Sequence, residues 1–438
     1  MILMGYLTIK KKKGLPMRYA IITYGTRGDV QPFIALALGL MQKGEAVILL
    51  APENFKDFVQ GYGVDFYPLH GDIEGMLHSA EPLSLLKKGS AVALLKYMQK
   101  VSHEIQPRLN QDLLNGCREA DFLITGVLTA HWINAIAEKN RKKFAIIQLN
   151  PPSTATRVFP FAGLDFFNFP QYNLLSHWLV KYFYWQLNKR DINHFRNTLG
   201  LESQKQAKSV EIEENVLTIY AYSPQLIPRP QDWGNNTIVS GFLTLNAKSR
   251  ETNKMDSIPE ALIEWLKAGE QPIYIGFGSV PIPDPEYFSR IIKKLIANTN
   301  LRVLLGTGWS LIPDLPDSPQ LFITKYVNHD WLLPQCKTAI IHGGIGTVAA
   351  VLHSKISAIV VSIIADQPWW GKIIERKKLG VHIPFKKLSY DRLIRAIALT
   401  ETTELIVNAK AVGELIRNED GLNLTIDKLH TYFLKKSI

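Results

Sequence analysis

Short apolar runs separated by helix-length segments recur along the chain, and this alternation limits the possible folds more than any other feature. Residues 19–25 and 46–51 read as buried strands, with helices expected over 31–43 and 55–62 and further strands at 122–125 and 144–149. Such runs are apolar on both faces, as in a parallel sheet covered by helices on each side, so the expected class is α/β and doubly wound. The alternation resumes at 272–277, which ends in Gly276-Phe-Gly-Ser279, with a helix over 287–297 and strands at 302–306, 321–326, 338–341 and 358–364. A chain of 438 residues is long for one core. Two domains are expected, over 17–225 and 226–402, joined by the proline-rich segment 223–234, with terminal helices at 403–438 packing back towards the first domain.

Composition excludes several classes. Hydrophobic residues at 46% and charged residues at 20% rule out wholesale disorder. The net charge of +11 is scattered apart from Lys10–Lys13 and pairs such as Lys386-Lys387, with no basic-aromatic stripe of the nucleic-acid-binding kind. A solvated basic surface is the first reading of that charge, and peripheral contact with a membrane is the second. No apolar run reaches transmembrane length, and residues 1–16 lack a signal-peptide pattern. They read as a disordered leader, Met17 is an alternative start, and the cytoplasm is the expected compartment. Cys117 and Cys336 have neither metal-ligand nor disulfide-framework spacing.

The chemistry concentrates at Ile340-Ile-His-Gly-Gly-Ile-Gly-Thr-Val-Ala-Ala350 and Ala365-Asp-Gln-Pro-Trp-Trp-Gly371. In the first, a strand runs through His342 into Gly343, Gly344 and Gly346, and a helix begins near Thr347. Unpaired N–H groups and the positive end of a helix dipole then flank a glycine turn, an anion site for a phosphate or pyrophosphate. A lone histidine beside a strand is commonly structural, but the three glycines point to contact with phosphate through an imidazole N–H, joined by donors from Gly344, Gly346 and Thr347. Ser279 ends a strand where a hydroxyl reaches a diphosphate, or simply turns the chain. Asp366 and Gln367 offer groups suited to sugar hydroxyls, or turn the chain before a helix. Trp370 lies under the sugar or fills core. Asp29 follows the first strand and, on pattern alone, reads as a helix N-cap beside Pro32.

Five segments in one order carry a resemblance: Gly25-Thr-Arg-Gly-Asp-Val-Gln-Pro32, Val327-Asn-His-Asp-Trp-Leu332, His342-Gly-Gly-Ile-Gly-Thr347, Asp366-Gln-Pro-Trp-Trp-Gly371 and Ile383-Pro-Phe-Lys-Lys-Leu388. Together they resemble the family 1 glycosyltransferases of GT-B fold, nearest the sterol 3-beta-glucosyltransferase and macrolide or glycopeptide glycosyltransferase branch. The resemblance implies two facing Rossmann-like domains, an acceptor in the first, a UDP- or TDP-sugar in the second, and inverting transfer without a metal or other cofactor. It makes Asp29 the general base and Asp366 and Gln367 the sugar-reading pair. It also places the nucleobase near Tyr326, Val327 and His329, where Asn328-His329 departs from the Pro-Gln of plant relatives and leaves uridine or thymidine open.

The aromatic segment 151–195 reads first as packed helix faces and second as an apolar acceptor cavity or a membrane-contacting surface. The expected activity is therefore transfer of a hexose, as glucose from UDP-glucose, to a hydroxyl of an apolar sterol-, lipid- or polyketide-like acceptor, with no nucleic-acid partner. A nucleotide-sugar epimerase and a non-catalytic nucleotide-sugar binder remain as alternatives on the same fold. Residues 25–29 lack the Gly-x-Gly-x-x-Gly spacing of a dinucleotide-binding oxidoreductase, and no P-loop is present.

Overall fold

The computed structural model describes residues 16–88, 91–206, 216–245, 250, 258–310 and 312–434. All but the last residue of the expected leader, with its Lys10–Lys13 run, lies outside them. Two parallel sheets organise the chain. The first joins β1 (Arg18–Ile22), β2 (Ala46–Pro52), β3 (Asp65–Leu69), β4 (Phe122–Thr125), β5 (Lys143–Gln148), β6 (Leu217–Tyr220) and β7 (Thr237–Val239) in the order β3-β2-β1-β4-β5-β6-β7. The second joins β8 (Ile273–Gly276), β9 (Val303–Gly306), β10 (Leu321–Thr324), β11 (Thr338–Ile341), β12 (Ser357–Ser362) and β13 (Gly380–Pro384) as β10-β9-β8-β11-β12-β13. Central strands β1, β4, β8 and β11 are buried almost throughout because helices cover both faces, which is why they read as unbroken apolar runs.

Each sheet has one point where its strand order reverses, between β1 and β4 in the first and between β8 and β11 in the second. Loops leaving neighbouring strands there diverge to opposite faces and open a crevice at the carboxyl ends. The first turn of the helix after β1 carries Asp29, the loop after β8 carries Ser279, and the loop after β11 carries His342 and Gly344.

Several expectations need correction. The expected boundary at residue 225 cuts the first sheet, because Thr237–Val239 pairs in parallel with β6 (Ile219 opposite Ile238). Segment 223–234 is thus an excursion within the first domain, pinned by Arg229, which donates to the carbonyls of Trp233, Gly234 and Thr237. The helix expected to start at 31 runs from Arg27 to Gln42, since Thr26 caps it and Pro32 is accommodated inside. Strand β12 stops at Ser362, two residues before its expected end. In segment 151–195 Trp185 and Phe195 are core, but Phe166, Phe167, Trp178 and Phe183 face solvent, so packing accounts for only part of its aromatics.

The last two helices divide between the domains. Thr403–Arg417 lies against Ile345–His353, where a Cβ at Gly413 would stand 2.5 Å from the Leu352 carbonyl. Gly421–Leu434 crosses to the first domain, stacking Phe433 on Phe122 with ring centroids 4.5 Å apart. Across the cleft itself Asp165 holds Lys372 at 2.6 Å and Arg376 at 3.7 Å, and Lys87 meets Asp284 at 3.2 Å.

Candidate active site at the cleft between the domains

Asp29 is the third residue of the Arg27–Gln42 helix, and the N-cap is Thr26. The Asp29 Oδ2 accepts hydrogen bonds from the Thr26 backbone N–H (2.8 Å) and hydroxyl (3.2 Å), the first of which is the Asp29 half of a capping box. This corrects the N-cap reading: capping occupies one carboxylate oxygen only. Oδ1 has no hydrogen bond among the described residues. Asp29 lines a narrow cleft with Thr23, Tyr24, Phe33, Gly126 and Leu128. Surrounding protein raises its pKa from the ordinary carboxyl value by desolvation, and the two bonds from Thr26 oppose that rise. A carboxyl so placed is a stronger base than an exposed one and still presents an open oxygen to the cleft.

From the second domain Asp366 comes near enough to Asp29 for their charges to interact. Desolvation pushes its carboxyl up to about 6, the charge of Asp29 adds to the rise, and a hydrogen bond from the Trp370 indole to Oδ2 (2.8 Å) opposes it. The preceding residue, Ala365, has φ +56°, a conformation that costs a non-glycine residue free energy and places the turn directly before the pair. Gln367 is buried at 3% exposure, and its Oε1 accepts from the N–H groups of Ile363 (2.8 Å) and Ile364 (3.1 Å). Its carboxamide oxygen thus holds the exit of β12, and the amide N–H groups are what it has left to offer a ligand. Trp370 is fully buried and edge-on to Tyr222 (5.7 Å), so it is a core residue that also orients Asp366.

The glycine turn separates into distinct roles. Gly343 has φ +93°, and a Cβ there would lie 2.6 Å from Val360; a Cβ at Gly344 would lie 2.4 Å from His342 Nε2. Both are required by the protein's own packing. At Gly346, in the first turn of Ile345–His353, a Cβ would meet nothing within 4 Å. Internal packing does not demand glycine there, whereas close approach of a ligand to the helix N-terminus would. His342 is 8% exposed with Nδ1 lacking a hydrogen-bond partner among the described residues. Burial lowers its pKa to about 4, a hydrogen bond to the Gly276 backbone opposes the fall, and the neutral ring has one N–H, which that bond engages. The hydroxyls of Thr347 and Ser279, both half-buried, likewise have no hydrogen bond among the described residues.

Residues 326–329, where the nucleobase is expected, make contacts within the protein. Arg27 of the first domain lies between two rings, 4.4 Å from the Phe58 centroid and 5.4 Å from that of Tyr326. His329 Nε2 is hydrogen-bonded to Tyr274 Oη at 2.8 Å, and burial lowers its pKa to about 3. Val327 packs into the second-domain core. Tyr326 therefore meets the other domain, and His329 is held as a neutral structural residue. Sequence reasoning did not single out Thr26, Arg27 or Tyr274; the Thr-x-x-Asp spacing of a capping box was the available signal for the first.

Comparison with known proteins places this geometry. A family model for the glycosyltransferase family 28 N-terminal domain matches residues 19–160. Two sterol 3-beta-glucosyltransferases of Arabidopsis thaliana are each 30% identical, over 95% of this chain and 68% of one relative and over 93% of this chain and 64% of the other. One of Cryptococcus neoformans is 29% identical over 95% of this chain and 27% of its own length. The chain thus spans about two thirds of the plant relatives and under a third of the fungal one. Among solved structures, the glycotransferase of kitacinnamycin aligns with TM-score 0.69 at 14% identity over 95% of this chain and 99% of that one. Glycosyltransferase VinC in complex with DTDP aligns with TM-score 0.65 at 14% identity, also over 95% and 99%. These two likenesses concern the fold, two facing Rossmann-like domains in the GT-B arrangement.

Proposed function

The chain belongs to the glycosyltransferase family that contains the sterol 3-beta-glucosyltransferases, and from that premise we propose that it is an inverting hexosyltransferase using a nucleotide-sugar, UDP-glucose first. The acceptor is an apolar alcohol of sterol, lipid or polyketide type. The observation that carries this reading is Asp29, which has one carboxylate oxygen unbonded beside an apolar-walled cleft, interacts in charge with Asp366 of the second domain, and sits on a helix that contacts Ile345–His353, the helix opened by the glycine turn after neutral His342.

In this mechanism the acceptor hydroxyl lies in the first-domain cleft and gives its proton to Asp29 Oδ1 as its oxygen attacks the anomeric carbon. The new C–O bond forms on the face opposite the breaking bond to the diphosphate, which inverts the anomeric centre. Negative charge developing on the diphosphate is met by the N–H groups opening Ile345–His353 and the hydroxyls of Thr347 and Ser279. Asp366 accepts from sugar hydroxyls and Gln367 donates to them. The donor is the only small molecule this scheme needs besides the acceptor.

Mass spectrometry of the purified protein with UDP-glucose, with and without a mixed panel of sterols, polyphenols and macrolides, tests the proposal. A hexose added to one acceptor class is the expected result. Donor consumed equally without acceptor would replace transfer by hydrolysis or epimerisation. No reaction with either UDP- or TDP-sugars would overturn the catalytic reading.

A further inference from the structure

The long helix Pro170–Thr198 turns an apolar stripe to solvent. Leu175, Trp178, Tyr182, Phe183 and Leu187 recur at helical spacing and all are exposed, Trp178 at 57% and Phe183 at 58%. The segment before the helix adds Phe166 and Phe167, at 75% and 61%. Elsewhere on the helix Ser176, His177, Trp185, Ile192 and Phe195 are buried and anchor it. The outward stripe is therefore not needed to hold the helix in place, and contiguous exposed rings of this extent mark a contact surface.

Charge selects the partner. Lys189 and Arg190 continue the same face two turns beyond Tyr182 and Phe183, and both are exposed. The helix has a single carboxylate, Asp191, which His103 Nδ1 approaches at 3.0 Å. Exposed Lys96 and Lys100 lie on the neighbouring helix Ala91–Gly116, whose Gln99 donates to the Leu187 carbonyl at 3.1 Å. Two copies of this face related by a two-fold axis would bring cations against cations. Rings flanked by cations instead match the headgroup–acyl boundary of an anionic bilayer. The stripe also adjoins the acceptor cleft: Tyr184 stacks on His131 (5.5 Å), and Leu128, 53% exposed, forms part of the wall around Asp29.

We propose that this aromatic face docks on an anionic lipid bilayer and sets the mouth of the Asp29 cleft against the lipid, so that an apolar acceptor enters without crossing water. The route of the acceptor rests on the proposed function; the docking does not. The test is flotation of the full chain with vesicles of phosphatidylcholine, alone or mixed with phosphatidylserine, alongside the double variant Trp178→Ser/Phe183→Ser. Wild type is expected to float with the mixed vesicles, less with phosphatidylcholine alone, and the double variant to bind roughly tenfold more weakly or worse with an unchanged thermal melt. Wild type remaining lipid-free, or a double variant floating as wild type does, overturns the docking. So does a wild-type dimer by light scattering that the double variant converts to monomer, because a second copy then covers the face. None of these readouts involves turnover, so their failure leaves the transferase reading standing.

Discussion

Trp370, with no exposed surface, donates its indole N–H to Asp366 Oδ2 at 2.8 Å, so a core residue sets the position and acidity of a carboxylate in the cleft. That bond lowers a pKa that burial raises. Trp370→Phe removes it, and the Asp366 pKa should rise further above about 6. The KM for donor near pH 6 should then increase more than at pH 8, while the lost bond and partial cavity cost on the order of 2–3 kcal/mol of stability. Donor titrations at both pH values with thermal melts check this; an equal KM change at the two pH values would detach Trp370 from Asp366 ionisation.

Asp366 also links function to stability in opposite senses. Its folded pKa, about 6, lies above the ordinary 3.8, so the protonated form is favoured in the fold. Its contribution to stability is complete below pH 4 and is lost as pH rises through 6. Asp366→Asn should weaken donor use yet raise stability at neutral pH by on the order of 2 kcal/mol, with a flatter profile between pH 4 and 6. Urea unfolding across that range reads the effect directly.

At Asp29, removing the charge and removing its support are separable. Asp29→Asn keeps an oxygen to accept from Thr26 and should fold normally, with turnover reduced by roughly 10²–10⁴. Thr26→Ala deletes one of two bonds that lower the Asp29 pKa, so the acid limb of kcat/KM should move to higher pH. Loss of the cap costs about 1 kcal/mol. Full turnover in Asp29→Asn would remove it as the base, and an unshifted limb in Thr26→Ala would show that Thr26 only caps the helix.

The glycine turn offers a paired control. Gly346→Ala should leave stability within about 0.5 kcal/mol of wild type, since nothing of the protein lies within 4 Å of the added methyl, while raising the KM for donor. Gly344→Ala drives a methyl against His342 and should lower the melting temperature. If Gly346→Ala leaves donor affinity unchanged, the diphosphate does not approach that helix end.

Much of the architecture was legible because central parallel strands are apolar on both faces. Residues 122–125 and 338–341 were delimited to the residue. Short edge strands such as β7, with three residues, lack enough sequence to declare themselves, and the domain boundary was misplaced for that reason. The aromatic segment 151–195 was equally ambiguous: Trp185 and Trp178 are the same residue type on one helix, and only packing put one in the core and the other in solvent.

The sequence by itself determined the two parallel sheets, the order of the strand-following segments that carry Asp29, Ser279, His342 and Asp366, and the glycine turn before a helix. These follow from local chemistry: apolar runs form buried strands, and the residue after a strand lies at its carboxyl end. The tertiary structure alone decided what each polar side chain has left to offer. Which oxygen of Asp29 is open, which end of Gln367 is spent on β12, and why His329 serves Tyr274 all depend on partners distant in the sequence, which folding brings within hydrogen-bond reach.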